Sequence, residues 1–178
     1  MKTLNPHRES GFTLLELLLV IGVGALLLIG GIATYRLVSD GNKATEATRL
    51  LLTIRQETQT MAQQQGGNYT GTTFDTADGT TATGPLIGSG TLRAGQRNPF
   101  NGNIVIAPIG TSSENVTVQF TGISQSGCSK LVQAVNNANE VVSITTTAGG
   151  EITTFPITAA IAAGACQAGN NDLTWRFP

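Results

Sequence analysis

The sequence is poor in the residue types that carry out catalysis. Its 178 residues include one histidine and two cysteines, and only 12% of them are charged. The histidine, His7, precedes the first apolar run, so the rest of the chain offers no Cys/His pair. The sequence also shows no other grouping of acid, base, nucleophile and metal ligands. We therefore expect a protein that is not an enzyme and that needs no cofactor.

The chain also lacks an excess of basic residues. Lysine and arginine number 10 against 11 acidic residues, and the formal net charge is -1. Without a basic patch the attraction to a phosphate backbone is weak, and no motif of a nucleic-acid-binding fold is present. We therefore expect no nucleic-acid partner.

The two cysteines, Cys128 and Cys166, are too far apart for a CxxC redox motif and fit no zinc-binding set. They are either two unpaired buried thiols or the two halves of a disulfide. The disulfide is favoured, because a polar domain that follows a membrane segment would be exported to an oxidising compartment.

Two acidic residues, Asp75 and Asp78, lie in a loop rich in glycine and threonine. Carboxylates are ligands for calcium, but two of them without further ligand spacing favour a solvated loop. We therefore expect no metal site.

A long uncharged run follows the short N-terminal segment. No residue from Leu17 to Tyr35 is charged, and at about 1.5 Å per helical residue the run covers nearly the whole ~30 Å hydrocarbon core of a bilayer. Lys2 and Arg8 precede it, so we expect the N-terminus on the cytoplasmic side and the C-terminus outside. A secretory signal peptide cleaved after Ala25 or within 30–33 is the alternative. The length of the run and its amphipathic continuation favour a membrane anchor.

One carboxylate, Glu16, stands at the start of this apolar segment. A charged side chain costs about 2.5–3.5 kcal/mol or more at mid-membrane. Either the side chain reaches the membrane interface near the helix start, or Glu16 has a role that explains its position.

The apolar run continues as an amphipathic helix. No proline occurs between Phe12 and Gln65, and Gly66-Gly67 provides a stop. In the second half, small and apolar side chains recur at steps of three and four. They are Ala44, Ala47, Leu51, Ile54, Thr58 and Met61. We expect one helix with an apolar part, 12–36, and an amphipathic part, 37–65, whose stripe the remaining chain must cover.

The remaining residues, 66–178, are rich in Thr, Gly, Asn and Ser and contain short β-branched runs. Their patterns predict a long loop over 68–102 with room for one short element, and a helix over 126–137. Strands are predicted over 103–107, 115–121, 140–147 and 173–177, while 157–165 is either a helical turn or a loop. The expected fold class is α+β, with an antiparallel sheet packed against the C-terminal half of the long helix.

The segment GFTLLE at residues 11–16, together with the apolar run after it, resembles the class III signal of type IV pilins and pseudopilins. The short basic leader, the amphipathic extension and the β-rich tail fit the same resemblance. It implies that residues 1–11 are a leader, that a prepilin peptidase cuts after Gly11, and that Phe12 becomes the methylated N-terminus. The helix would then serve first as a membrane anchor and later as the core of a filament.

The resemblance also implies roles for Glu16 and for the cysteines. Glu16 would meet the N-terminal ammonium of Phe12 in a neighbouring subunit and would set the axial register of assembly. Cys128 and Cys166 look like the ends of the disulfide-bounded region of type IVb pilins, which would form subunit contacts. In this chain that region is 128–166.

The leading hypothesis is therefore a structural subunit, the major pilin of a type IV pilus that serves adhesion, aggregation, motility or mating contact. Its implied partners are other copies of itself, prepilin peptidase and an inner-membrane assembly platform. The precursor would be a single-pass inner-membrane protein with its C-terminus outside, and the assembled subunit would be extracellular. The alternatives are a pseudopilin of a type II secretion system and a membrane-anchored exported binding module.

Overall fold

The structure, a computed structural model, describes residues 12–76, 85–110, 113–136 and 139–178. Contacts divide the chain into two units, of which the first ends at Val38 and the second comprises Ser39–Pro178. The predicted leader, 1–11, and Asp78 lie outside the described residues. The division of the helix into 12–36 and 37–65 stays a prediction.

Helix α1 spans Leu14–Gln64. It begins where Thr13 caps it: the Thr13 Oγ1 accepts a hydrogen bond from the Glu16 backbone N–H at 3.3 Å, which satisfies one of the free donors of a helix N-terminus. In the first unit, Leu14–Ile32 is long and apolar enough to cross a membrane, and no part of it is buried. The helix ends at Gln64, shortly before Gly66 and Gly67, whose φ angles of 77° and 89° are those that favour glycine.

Within the second unit, α1 buries one stripe of small and apolar side chains. The fully or nearly fully buried residues are Ala44, Ala47, Leu51, Ile54, Thr58 and Ala62. Met61, which the spacing placed on this stripe, is partly buried against the same core. The stripe confirms the predicted amphipathic helix, with Ala62 rather than Met61 as its last buried residue.

The stripe belongs to a core that includes one face of a six-stranded sheet. The strands are β1 (Phe74–Asp75), β2 (Ile104–Ile109), β3 (Asn115–Ser124), β4 (Ser143–Thr146), β5 (Gly150–Ile152) and β6 (Asn170–Phe177). Their order in the sheet is β1-β2-β3-β6-β4-β5, and every neighbouring pair is antiparallel. The last strand in the chain therefore lies in the middle of the sheet, between β3 and β4.

The two central strands, β3 and β6, alternate between buried and partly exposed side chains over most of their length. Val116, Val118 and Phe120 of β3 are fully buried, and their immediate neighbours in the strand are partly exposed. Successive side chains of a strand point to opposite faces, so this alternation gives β3 one core face. Phe120 meets Trp175 of β6 edge to face, with ring centroids 5.4 Å apart, a favoured aromatic geometry.

The described part of the second unit also contains three short helices: α2 (Pro85–Gly88), α3 (Gln125–Ala134) and α4 (Ala159–Ala165). The Ala-rich stretch, which the sequence left open between a helical turn and a loop, forms α4. Thr158 caps it, because its side chain accepts a hydrogen bond from the Ile161 N–H at 3.4 Å.

Several bounds differ from the sequence-based expectation. The strand predicted over 140–147 begins at Ser143, because 139–140 form a turn and Val142 a bend before it. β1 and β5 were not predicted, and the described residues of the region 68–102 form two short elements, β1 and α2, where one was expected. Strands of two or three residues are too short to show the alternation on which strand prediction depends.

Candidate functional site: an exposed apolar helix and a disulfide-bounded segment

Phe12 and Glu16 lie at the start of α1, and the structure leaves both side chains exposed. Phe12 is 83% exposed. The Glu16 carboxylate stands in the first helical turn, where the partial positive charge of the helix end favours an anion, and it makes no hydrogen bond or ion pair to another described residue. Gly11, the predicted cleavage position, lies outside the described residues.

The helix behind these two residues exposes a continuous apolar surface. Leu14–Ile32 has a mean hydropathy of 2.5 and is entirely unburied. Within this stretch, polar backbone groups are satisfied by the helix itself, and Thr34 just beyond it donates its hydroxyl to the Gly30 carbonyl at 2.7 Å. Soluble monomers rarely expose apolar patches larger than a few hundred Å². This surface therefore needs a cover, either lipid or other protein chains.

Cys128 and Cys166 form the predicted disulfide, with an S–S distance of 1.93 Å and a Cα–Cα distance of 5.9 Å. Cys128 lies in α3, and Cys166 follows α4 directly. Both side chains are buried, and the Gln125 Nε2 donates to the Cys166 carbonyl at 3.2 Å. The disulfide thus joins the two ends of the segment 128–166, and the hydrogen bond from Gln125 connects Cys166 to the start of α3.

Arg55 joins α1 to the last strand and is a residue whose role the sequence did not reveal. Its Nη1 lies 3.3 Å from Glu140 Oε2, and its guanidinium lies over the ring of Phe177, 5.6 Å from the centroid. Arg55 is not among the stripe residues identified from the sequence, and the structure leaves it partly buried. Its position next to Ile54, at the margin of the buried stripe, is the one signal of partial burial in the sequence.

Tyr69 contacts the residue that follows β6. The Tyr69 hydroxyl donates to the backbone oxygen of Pro178 at 2.6 Å. Burial raises the pKa of Tyr69 above its usual value, and the charge of Arg55 partly opposes that rise. The tyrosine therefore stays protonated and remains a donor at neutral pH.

Among the described residues, no group of three or more His, Cys, Asp or Glu side chains is placed to hold a metal ion. An open cleft of about 310 Å³ lies beside the end of α1, lined by residues that include Gln59, Gln63, Tyr69 and Glu114. The lining offers amides, one phenol and one carboxylate. The cleft contains no nucleophile paired with a base.

Comparison with known families gives two matches that together span most of the chain. The family model described as "PilS N terminal" matches residues 41–177. The model described as "Prokaryotic N-terminal methylation motif" matches residues 6–32. The second match contains the GFTLLE segment and most of the exposed apolar helix.

Among curated proteins, the toxin coregulated pilin of Vibrio cholerae is 28% identical over 149 residues. The aligned region is 81% of this chain and 65% of that protein, so the chain spans somewhat less than two thirds of the length of this relative.

Two solved structures are similar in fold. The crystal structure of TcpA, a type IV pilin from Vibrio cholerae El Tor biotype, has a TM-score of 0.57 at 16% identity and covers 77% of this chain and 99% of its own. A type IV b pilin from Salmonella typhi has a TM-score of 0.51 at 22% identity, with 76% and 97% covered. At these identities the likeness establishes the fold.

Proposed function

Because this chain belongs to the type IV pilin family, we propose that it is the major pilin of a type IV pilus. In this proposal prepilin peptidase removes the leader, 1–11, by cutting after Gly11, and Phe12 becomes the methylated N-terminus. The mature subunit then polymerises through α1 into a filament that serves adhesion, aggregation, motility or mating contact.

The observation that carries this proposal is the unburied apolar run Leu14–Ile32, preceded by the methylation motif. A helix of this length and hydropathy is stable in a bilayer, and its backbone groups are satisfied internally. The proposal gives the same surface two covers in succession: lipid in the inner membrane before assembly, and neighbouring helices in the filament afterwards. In this proposal the subunit is extracellular once it has been assembled into the filament.

The exposed pair at the start of α1 supports the assembly part of the proposal. Processing after Gly11 would leave an ammonium on Phe12, close to where another subunit could present Glu16. In an apolar bundle such a pair gains strong attraction and loses solvation, so its net contribution to stability is small. A shifted register, in contrast, leaves a buried unpaired charge, which costs about 3–5 kcal/mol. The pair would therefore select the register more than it would strengthen the filament.

The disulfide-bounded segment, 128–166, supports assignment to a type IVb-like system. The loop that this disulfide closes contains β4, β5 and α4 and links α3 to the end of α4. In the proposal the exposed part of this segment contacts neighbouring subunits, and an inner-membrane assembly platform draws the subunits from the membrane.

Mass spectrometry of the mature protein tests the processing. We expect a chain that begins at N-methylated Phe12. A chain that begins after Ala25 or within 30–33 would instead identify a secretory signal peptide and would overturn the proposal.

Electron microscopy of sheared cell-surface material tests the assembly. We expect fibres that react with an antibody against the second unit. A correctly processed protein that stays in the membrane and never appears in the sheared fraction would indicate a pseudopilin instead.

A further inference from the structure

Asp40 lies at the beginning of the second unit and is bonded to a distant part of the chain. Its carboxylate accepts hydrogen bonds from the hydroxyl of Ser124, at 2.9 Å, and from the hydroxyl of Ser126. These partners lie 84 and 86 residues away in the sequence. A single carboxylate on α1 thus accepts hydrogen bonds from two hydroxyls that lie two residues apart.

Both hydroxyls belong to the N-terminus of α3. Ser124 is the N-cap of this helix, and its side-chain oxygen accepts a hydrogen bond from the Gly127 N–H at 3.2 Å. The first turn of α3 contains no acidic residue of its own, although a negative charge there is favourable. Asp40 of α1 supplies this charge from outside the helix.

The charges that face Asp40 are basic. Lys43 on α1 and Lys130 on α3 both act on its carboxylate. The hydrogen bond from Ser126 holds the pKa of Asp40 below its usual value; burial opposes this effect, and the bond from Ser124 and the two lysines add to it. The carboxylate is therefore ionised at neutral pH.

Holding the start of α3 also holds the disulfide-bounded segment. Cys128 lies in the first turn of α3, four residues after Ser124, and is bonded to Cys166 at the end of α4. We propose that Asp40 is a positioning residue that fastens the disulfide-bounded segment to α1 through the two serine hydroxyls, and that its negative charge is needed for this. The proposal concerns the single subunit and does not depend on filament assembly.

Hydrogen exchange of the full-length chain in mild non-ionic detergent at pH 7 tests this inference. In Asp40→Asn the oxygen acceptor remains and the charge is lost. We expect exchange at the start of α3, Ser124–Leu131, to become about 5- to 10-fold faster, because hydrogen bonds to charged groups are the stronger ones. The matched control is Glu46→Gln, which removes an exposed charge from the same helix and should leave exchange unchanged.

Two outcomes of that experiment would overturn the inference. One is exchange in Asp40→Asn that equals that in Glu46→Gln. The other is faster exchange spread evenly over the sheet and α1, since Asp40 would then support the whole unit rather than the start of α3.

A milder variant, Ser126→Ala, gives an independent measurement. It removes one donor to Asp40 and leaves the Ser124 cap in place. We expect it to accelerate exchange at the same peptides and, in combination with Asp40→Asn, to add much less than its own effect, because both changes act on one contact. Full additivity would show that the two residues act separately and would contradict the proposal.

The pH dependence separates the role of the charge from that of the side chain's shape. A group whose pKa is lowered by folding stabilises the folded state above its unfolded pKa, and this contribution is lost as the pH falls through the folded pKa. After correction for intrinsic exchange rates, the wild-type protein should lose protection at the start of α3 below about pH 4. Asp40→Asn should lack this step, and its persistence in the variant would assign it to another carboxylate.

Discussion

Glu16 is the residue whose surroundings change most between the two environments proposed for α1. Near the helix start it is exposed in the single chain, whereas in a filament it would be enclosed by apolar helices. An enclosed carboxylate is tolerated only with a partner of opposite charge. In the proposed function, its position is explained by a contact that forms only after assembly.

We therefore predict that Glu16→Ala is processed and inserted normally but does not form filaments. The apolar run that inserts is unchanged, whereas the charge that selects the register is lost. The ratio of mature to precursor protein on immunoblots and the yield of sheared fibres are the two measurements. Glu46→Ala, which removes an exposed carboxylate from the second half of α1, is the control. A wild-type fibre yield from Glu16→Ala would defeat the register argument.

Asn98 organises the turn before β2 and illustrates a role that no sequence pattern revealed. It is 3% exposed. Its Nδ2 donates to the carbonyls of Asn103 and Thr121, at 3.2 and 2.8 Å. Its Oδ1 accepts from the N–H groups of Phe100 and Gly102, at 2.9 and 3.1 Å. One side chain thus satisfies four backbone groups.

Asn98→Ala should lower the free energy of unfolding by about 3 kcal/mol, because an unsatisfied buried polar group costs about 1–3 kcal/mol and relaxation will recover part of the loss. Urea unfolding followed by the fluorescence of Trp175, the single tryptophan and a fully buried one, measures the change. Gln133→Ala, an exposed amide on α3, is the control and should shift stability by less than about 0.5 kcal/mol. Equal effects of the two variants would refute the role given to Asn98.

At the scale of elements, the packing of α1 depends on an apolar stripe that was predictable and on a charged contact that was not. The stripe follows the 3.6-residue period of a helix, so Ala44, Ala47, Leu51 and Ile54 could be assigned from their spacing alone. The spacing of the residues on α1 did not indicate any contact for Arg55. Its partners, Glu140 and Phe177, are distant in the sequence, and no local pattern indicates them.

We predict that Arg55→Ala lowers the free energy of unfolding by about 1–2 kcal/mol. The loss combines the cation–π contact with Phe177, worth about 0.5–1 kcal/mol or more, and a partly exposed ion pair with Glu140, worth less than about 1 kcal/mol. Arg49→Ala, an exposed arginine on the same helix, should have almost no effect in the same urea assay. Should Arg49→Ala cost as much, general charge effects rather than these contacts would account for the loss.

Local sequence patterns predict only part of the sheet. The runs that became β2, β3 and β6 were identified because they are long enough to show β-branched or alternating patterns. β1 and β5 are too short for this, and the strand order β1-β2-β3-β6-β4-β5 depends on pairing between distant segments. The contact of Asp40 was missed for the same reason, since its hydroxyl partners, at the N-cap and in the first turn of α3, are 84 and 86 residues away in the sequence.

At the scale of the whole molecule, the two units have opposite relations to solvent. The described stretch Leu14–Ile32 of the first unit exposes its apolar side chains, whereas the second unit buries a core of apolar side chains that includes those of the central strands β3 and β6. A small unit buries a smaller fraction of its surface on folding than a larger domain does, so apolar burial stabilises it less. Its stability should therefore depend on the covalent closure of the segment 128–166.

We predict that Cys128→Ala with Cys166→Ala lowers the free energy of unfolding by about 4 kcal/mol, since closing a loop of this length removes that much entropy from the unfolded chain in the chain-entropy model. Alanine is chosen because both sites are buried and a serine hydroxyl would add an unsatisfied polar group. We would compare the urea unfolding midpoints of three samples. They are the double variant, the oxidised wild type, and wild type that has been reduced in denaturant and refolded under reducing conditions. The double variant and the reduced protein should share one lowered midpoint. A midpoint equal to that of the oxidised wild type would show that packing alone holds α3 to α4, and the disulfide would then be dispensable for the stability of the second unit.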